Sequence, residues 1–297
     1  RNAVHQDTET FLISVFEMGT DEPRPFGRPL PNVRGSFIKL MVDLLGFFKL
    51  RGKPKRDMKA FKSYDIRGLY PEEINEKLAF KVGQAFAHFL KAKDIVVGFD
   101  MRESSPSLFE HLTKGMMSQG VNVINIGMVT TPMLSFAVAR YNYDGGIMIS
   151  ASHNPYNDNG IKFFSASGSK LADEVELAIE AQLQQDLTTV ESADIGKVLR
   201  VVDAAGRYIE FCKSTAPEGL SLRGLRIAVD CAHGATYHIA PSVLSELGAE
   251  VIPIGVQPDG FNINKGVGST DTEQLSNLVR EQKADLGIAY DGDGDRV

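Results

Sequence analysis

From about residue 58 onward the chain alternates short apolar runs with amphipathic stretches of helical period. Residues 95–99, 121–126, 145–149, 225–230, 250–254 and 285–290 are apolar runs too short for helices and bounded by turn-forming residues, which reads as buried strands. Between them lie helical patterns. Leu108, Leu112, Gly115 and Met116 share one face, and Thr130-Thr-Pro132 opens a helix with proline in its tolerant first turn. Residues 172–185 form a charged amphipathic helix, residues 206–213 open a second series, and helices over 237–247 and 272–283 continue it. Repeated βα units predict an α/β fold of two domains with mixed or largely parallel sheets, at residues 58–200 and 201–297. In such sheets the working groups collect on loops beyond the carboxyl ends of the strands.

The first 57 residues break this rhythm. Pro23, Pro25, Pro29 and Pro31 crowd a stretch that sustains neither helix nor central strand. After Ser36, the residues Phe37, Leu40, Met41, Leu44, Leu45 and Phe48 fall on one helical face, followed by the basic run Lys49-Leu-Arg-Gly-Lys-Pro-Lys-Arg56. An apolar helix beside a basic cluster suits a membrane-surface anchor, and equally a docking helix with a solvated linker. The expectation is that residues 1–57 contribute nothing to the fold and that the functional polypeptide begins at Met58.

Length and composition narrow the class. A chain of 297 residues can bury two cores, and a net charge of -6 gives no electrostatic reason to bind nucleic acid. The longest apolar stretch, residues 37–50, is interrupted by Lys39, Asp43 and Lys49, so no membrane span is expected. Cys212 and Cys231 lack metal-ligand spacing and read as small core residues of a reducing compartment. With no signal-peptide pattern, the expected location is cytoplasmic.

Two segments carry chemistry. The first is Ile149-Ser-Ala-Ser-His-Asn-Pro155 with Asn157-Asp-Asn-Gly-Ile-Lys-Phe163, read as one loop after a buried strand. Ser152 could be a nucleophile there. A serine hydrolase is disfavoured, because no GxSxG elbow is present and His153 would point away from Ser152 in extended backbone. A phosphoryl-carrying serine fits better, with Asn154, Pro155 and Gly160 shaping the turn and Lys162 supplying a cation. A hydrogen-bonded turn without chemistry remains open.

The second is Asp291-Gly-Asp-Gly-Asp-Arg296, after an apolar strand. Alternating aspartates place hard oxygen ligands together, and magnesium would offset their repulsion. The EF-hand alternative fails because Arg296 stands where glycine is needed and a strand precedes the loop. Arg296 beside the carboxylates suggests recognition of a phosphate brought to the metal.

With Phe61-Lys-Ser-Tyr-Asp-Ile-Arg-Gly68, these segments resemble the α-D-phosphohexomutase family in motif, order and separation across residues 58–297. Residues 58–148 are similar to phosphomannomutase/phosphoglucomutase members, in Tyr64-Asp-Ile-Arg-Gly68 and Asp144-Gly-Gly-Ile147. From Ser150 the likeness is to phosphoglucosamine mutases, in residues 157–165, 204–212 and 235–241. The resemblance implies that Ser152 is a phosphoserine and that Asp291, Asp293 and Asp295 bind Mg2+ together with a phosphate oxygen on Ser152. It implies catalytic roles for Arg67, Lys162 and His153, and substrate contacts for Tyr64, Asn154 and Arg296. The partners it implies are a phosphosugar, foremost glucosamine 6-phosphate, and a hexose bisphosphate activator. The family has four domains, of which residues 58–297 match the first half. The sugar-discriminating and phosphate-binding loops of the third and fourth are not in this sequence, so the chain alone is expected to lack useful turnover.

Overall fold

The computed structural model describes residues 61–62 and 65–297. Residues 1–57 and Tyr64 lie outside them, so the expectations for those positions are untouched.

The apolar runs become strands where two faces are covered. β1 (Phe61–Lys62), β2 (Asp65–Leu69), β3 (Asp94–Phe99), β4 (Asn122–Met128), β5 (Gly145–Ile149), β6 (Asp158–Ser165) and β7 (Val198–Arg200) form one sheet in the order β1-β2-β6-β5-β3-β4-β7. β5-β3-β4-β7 pair in parallel, whereas β6 runs antiparallel to both β2 and β5. β5 is buried along its whole length. Its neighbour β6 was read from sequence as part of the chemistry-bearing loop, because Asn157, Asp158, Asn159 and Gly160 are turn-type residues. Pairing on both sides makes it a strand.

Helices α1 (Glu76–Leu90), α2 (Ser105–Met117), α3 (Thr131–Arg140) and α4 (Asp173–Gln182) cover this sheet. α1 starts where Asn75 accepts the Leu78 N–H at 3.0 Å and stops at Lys91 in left-handed backbone. α3 starts where the Thr130 side chain accepts the Met133 N–H. One face of the sheet buries Phe86, Leu112, Ile147 and Phe163, with the Phe86 and Phe163 rings stacked at 5.1 Å. The other buries Val96, Leu134, Met148 and Phe164.

A second sheet, β10-β8-β9, is wholly parallel: β8 (Arg226–Asp230), β9 (Glu250–Ile254) and β10 (Leu286–Ala289). Its helices are α5 (Ala204–Ser214), α6 (Ile239–Glu246) and α7 (Glu273–Gln282). Tyr208 of α5 and Ile239 of α6 pack into the second core of the first sheet, which joins the two units through apolar contact. Both cysteines are free, Cys231 buried and Cys212 half-buried. Among the described residues no helix is long and apolar enough to cross a membrane.

Candidate active site

The carboxyl ends of β3, β4, β5, β8 and β10 converge on one place, and each contributes polar groups there. After β5 the chain turns through Ser150, Ala151 and Ser152 before returning as β6, so Ser152 sits at a hairpin tip. Ser152 is fully buried, and its backbone is in the left-handed region at φ 54° rather than extended as expected. A non-glycine residue there is costly, by about 1–2 kcal/mol, unless its surroundings hold it. They do so from both ends. The Ser152 N–H donates to Ser150 Oγ at 2.9 Å, and Ser150 Oγ donates to Asp100 Oδ2 at 2.7 Å.

The carbonyl side is held by Arg102, a fully buried arginine on the loop after β3. Its Nη2 donates to Ser152 O and Asn154 O at 2.9 Å each, and its Nη1 donates to Asp158 O at 2.9 Å and to Pro155 O. Asp100 pairs with its Nε at 3.0 Å. One guanidinium thus organises four carbonyls of the serine loop, a task matched to its planar fork of donors.

Ser152 Oγ points across to the second sheet's aspartate loop. It donates to Asp291 Oδ2 at 2.5 Å and lies 3.3 Å from Asp295 Oδ1. Asp291 Oδ1 accepts the N–H groups of Asp295 and Arg296, both at 3.1 Å, which curls the loop around its first carboxylate. Gly292 allows the two loops to meet. A Cβ there would fall 2.7 Å from Ser152 O and 2.8 Å from Asn264 Nδ2.

Lys162 enters from the middle of β6, a strand and not a loop. Its Nζ lies 2.6 Å from Asp293 Oδ2 and 3.0 Å from Asp295 Oδ2. Burial opposes the ammonium charge, but Asp293 and Asp295 outweigh it and hold the lysine protonated well above its ordinary range. Burial likewise opposes ionisation of Asp293, and Lys162 with the Thr131 hydroxyl overcomes it and keeps that carboxyl low. Thr131 also gives its backbone N–H to Asp293 O at 2.9 Å, at the start of α3, where the helix end favours negative charge. Asp291 goes the other way. Burial pushes it well up, and the negative charges of Asp293 and Asp295 add to the effect.

His153 Nδ1 faces Arg296 Nη1 at 2.7 Å. Burial lowers the imidazole pKa, and Arg296 and Arg67 lower it further, so the neutral ring accepts from Arg296. Arg67 Nη1 lies 3.4 Å from Asn154 Oδ1. The structure therefore gathers Ser152, Lys162, Asp291, Asp293 and Asp295 into direct contact, with Arg67, His153, Asn154 and Arg296 beside them. Sequence reasoning missed Asp100, Arg102, Thr131 and Asn264. Position beyond a strand end flags the first three, since β3 lies beside the serine strand β5 in the sheet and β4 lies beside β3.

The aspartate loop suits a hard divalent cation. One oxygen from each of Asp291, Asp293 and Asp295 can be chosen so that all lie within 4.8 Å of one another. Asp293 Oδ1 is buried without a hydrogen-bond partner, an acceptor left over for a ligand. With Asp291 also ionised, as binding to a cation requires, setting Lys162 against the three aspartates leaves two negative charges, the number a divalent ion neutralises.

Fold and site together define a two-domain α/β scaffold, with a serine hairpin from one sheet set against a carboxylate loop from the next. Comparison with known proteins agrees: residues 58–189 match "Phosphoglucomutase/phosphomannomutase, alpha/beta/alpha domain I" and residues 206–297 match domain II of the same family. The chain belongs to the phosphoglucomutase/phosphomannomutase, or phosphohexomutase, family and carries the first half of its architecture.

A phosphoglucosamine mutase of Aeromonas hydrophila is 56% identical over 233 residues, covering 77% of this chain and 52% of the relative. One of Pseudoalteromonas atlantica is 51% identical over 245 residues, covering 81% and 55%. These alignments are longer than residues 150–297, so the likeness to phosphoglucosamine mutases takes in the earlier segment as well. A phosphoglucomutase/phosphomannomutase family protein of Burkholderia thailandensis superposes with a TM-score of 0.67 at 27% identity, covering 79% of this chain and 52% of that one. The chain spans about half the length of the relatives it matches.

Proposed function

We propose that this chain is the phosphoryl-carrying and cation-holding half of a phosphosugar mutase that interconverts glucosamine 6-phosphate and glucosamine 1-phosphate. The observation that carries the reading is the 2.5 Å contact of Ser152 Oγ with Asp291 across the two domains, with Lys162 on the neighbouring aspartates. In the reaction the P–O bond to Ser152 breaks as a bond forms to a sugar hydroxyl, giving a sugar bisphosphate. The sugar then turns over and returns its other phosphate to Ser152.

Asp291, Asp293 and Asp295 would hold Mg2+, which supplies positive charge to the phosphoryl oxygens. The chain's own residues place the rest of the charge. Arg67, Arg296 and Asn154 line the approach to the serine and suit the non-reacting phosphate. His153, neutral and anchored on Arg296, orients that guanidinium. A lysine beside the transferring group could serve as general base. Paired with two carboxylates Lys162 is an ammonium, and we assign it the role of fixed positive charge beside the transferring group. In a loose transition state the accepting hydroxyl gives up its proton late, so placement of charge matters more than base strength.

Incubating the 297-residue chain with glucosamine 1,6-bisphosphate and Mg2+, then mapping phosphate by mass, tests the reading. Phosphate on Ser152 is expected, and none on a Ser152→Ala chain. Phosphate on Ser150 instead, with Ser152→Ala unaffected, overturns it. A phosphomannomutase/phosphoglucomutase assignment draws support from the Burkholderia structure. The higher identity to the phosphoglucosamine mutases favours glucosamine, and faster loading from glucose or mannose 1,6-bisphosphate would reverse that preference.

A further inference from the structure

We infer that Asn264, on the connection between β9 and α7, is a positioning residue that seats the reactive serine against the aspartate loop. Its Nδ2 donates to Ser152 O at 2.9 Å and to Asn154 O at 3.0 Å. Those are the two carbonyls that Arg102 Nη2 already holds. The two donors do different things. Arg102 belongs to the first domain and gives the serine loop its internal shape. Asn264 belongs to the second domain, which carries Asp291, Asp293 and Asp295, and so it sets where that shaped loop lies relative to the carboxylates.

The backbone around Asn264 is built for this reach. Its N–H donates to Ala232 O at 2.8 Å, on the loop after β8, and its φ of 59° is a left-handed value that asparagine tolerates better than most residues. Ala235 N–H in turn donates to Gly292 O at 2.8 Å. The amide is therefore tied through two short loops to the backbone of the aspartate loop itself. Docking of the domains does not depend on it. The same connection also meets the first domain where Glu103 N–H donates to Gly260 O at 3.0 Å and where the Phe261 ring meets Tyr156 edge-on at 5.4 Å. Removing the Asn264 amide leaves those contacts and Arg102 in place, and frees Ser152 to drift from its 2.5 Å contact with Asp291.

This inference rests on the phosphoryl-transfer reading above, and its test separates the two. Asn264→Asp keeps shape and left-handed preference but removes the donor, and Asn264→Gly keeps the backbone and removes the side chain. Ser152 loading from glucose 1,6-bisphosphate with Mg2+ is measured across bisphosphate concentration, alongside amide hydrogen exchange over residues 151–157. In both variants the saturating rate should fall about tenfold to a hundredfold, the half-saturating concentration should stay within about twofold, and exchange should quicken. A wild-type saturating rate in both variants overturns the inference, and so does a loss that appears only in the half-saturating concentration. If the unaltered chain takes no phosphate on Ser152, the phosphoryl-transfer reading fails. Exchange then decides alone: faster exchange in both variants supports the seating, and unchanged exchange overturns it.

Discussion

Lys162 and Asp293 form an ion pair at 2.6 Å in which both side chains are sealed from solvent, one on a strand of the first sheet and the other on a loop of the second. Such a pair adds little net stability once desolvation is counted, but removing one partner strands a buried charge. Lys162→Met should therefore lower unfolding free energy by about 3 kcal/mol, and pairing it with Asp293→Asn should recover part of the loss. Urea titrations of the three chains check this. A loss below about 1 kcal/mol would mean that Asp293 finds another partner or takes up a proton.

Mg2+ should bind the 297-residue chain weakly, and more tightly once Ser152 carries phosphate, because three carboxylate oxygens leave coordination positions to fill. Titration calorimetry on phosphorylated and unphosphorylated protein measures the difference. Equal affinities, or binding that survives Asp293→Asn with Asp295→Asn, would remove the aspartate loop as the site.

Gly292→Ala should separate the two loops. The added methyl would strike Ser152 O and the Asn264 amide, both backed by packed structure, and overpacking of this kind costs about 1–3 kcal/mol. A lower melting temperature together with slower Ser152 loading is the expected pair of results. Normal loading would show that the loops tolerate a wider gap.

Without divalent cation, stability should fall as pH rises. Burial and the adjacent aspartates raise Asp291 above its ordinary value of 3.8, so the folded chain keeps a proton that the unfolded chain has lost. The loss accumulates from that value upward to the raised one. Asp293, shifted down, acts oppositely and only below the ordinary carboxylate range. Urea midpoints in chelator at about pH 5 and about pH 7 should decline in that order, and Asp291→Asn should flatten the trend. A midpoint that rises with pH would contradict the burial argument.

Local pattern carried much of the fold. β5 and β9 begin and end where the apolar runs at 145–149 and 250–254 do, and α7 lies within one residue of the pattern at 272–283. β6 was lost because its first residues are turn formers whose strand conformation comes from neighbours distant in sequence. β7 was lost because all three of its residues are exposed, which leaves no buried face to register as a pattern. At the site, residue types with rare spacing were legible: the aspartates of Asp291-Gly-Asp-Gly-Asp, and Ser152 on a strand-end turn. Arg102 and Asn264 were not, since each is one polar residue in a polar loop. What they do depends on carbonyls fifty or more positions away.

The sheet order has a consequence for how the chain folds during synthesis. β2 leaves the ribosome early yet bonds across its inner edge only to β6, where Ile66 meets Ile161. Until β6 inserts between β2 and β5, the first sheet is two unjoined pieces, and closing it requires ordering the whole intervening chain. The strand that completes the sheet is also the one that brings Lys162 inward. A nascent chain thus acquires the buried lysine at the moment its first sheet closes, well before the aspartates that will neutralise it have been made.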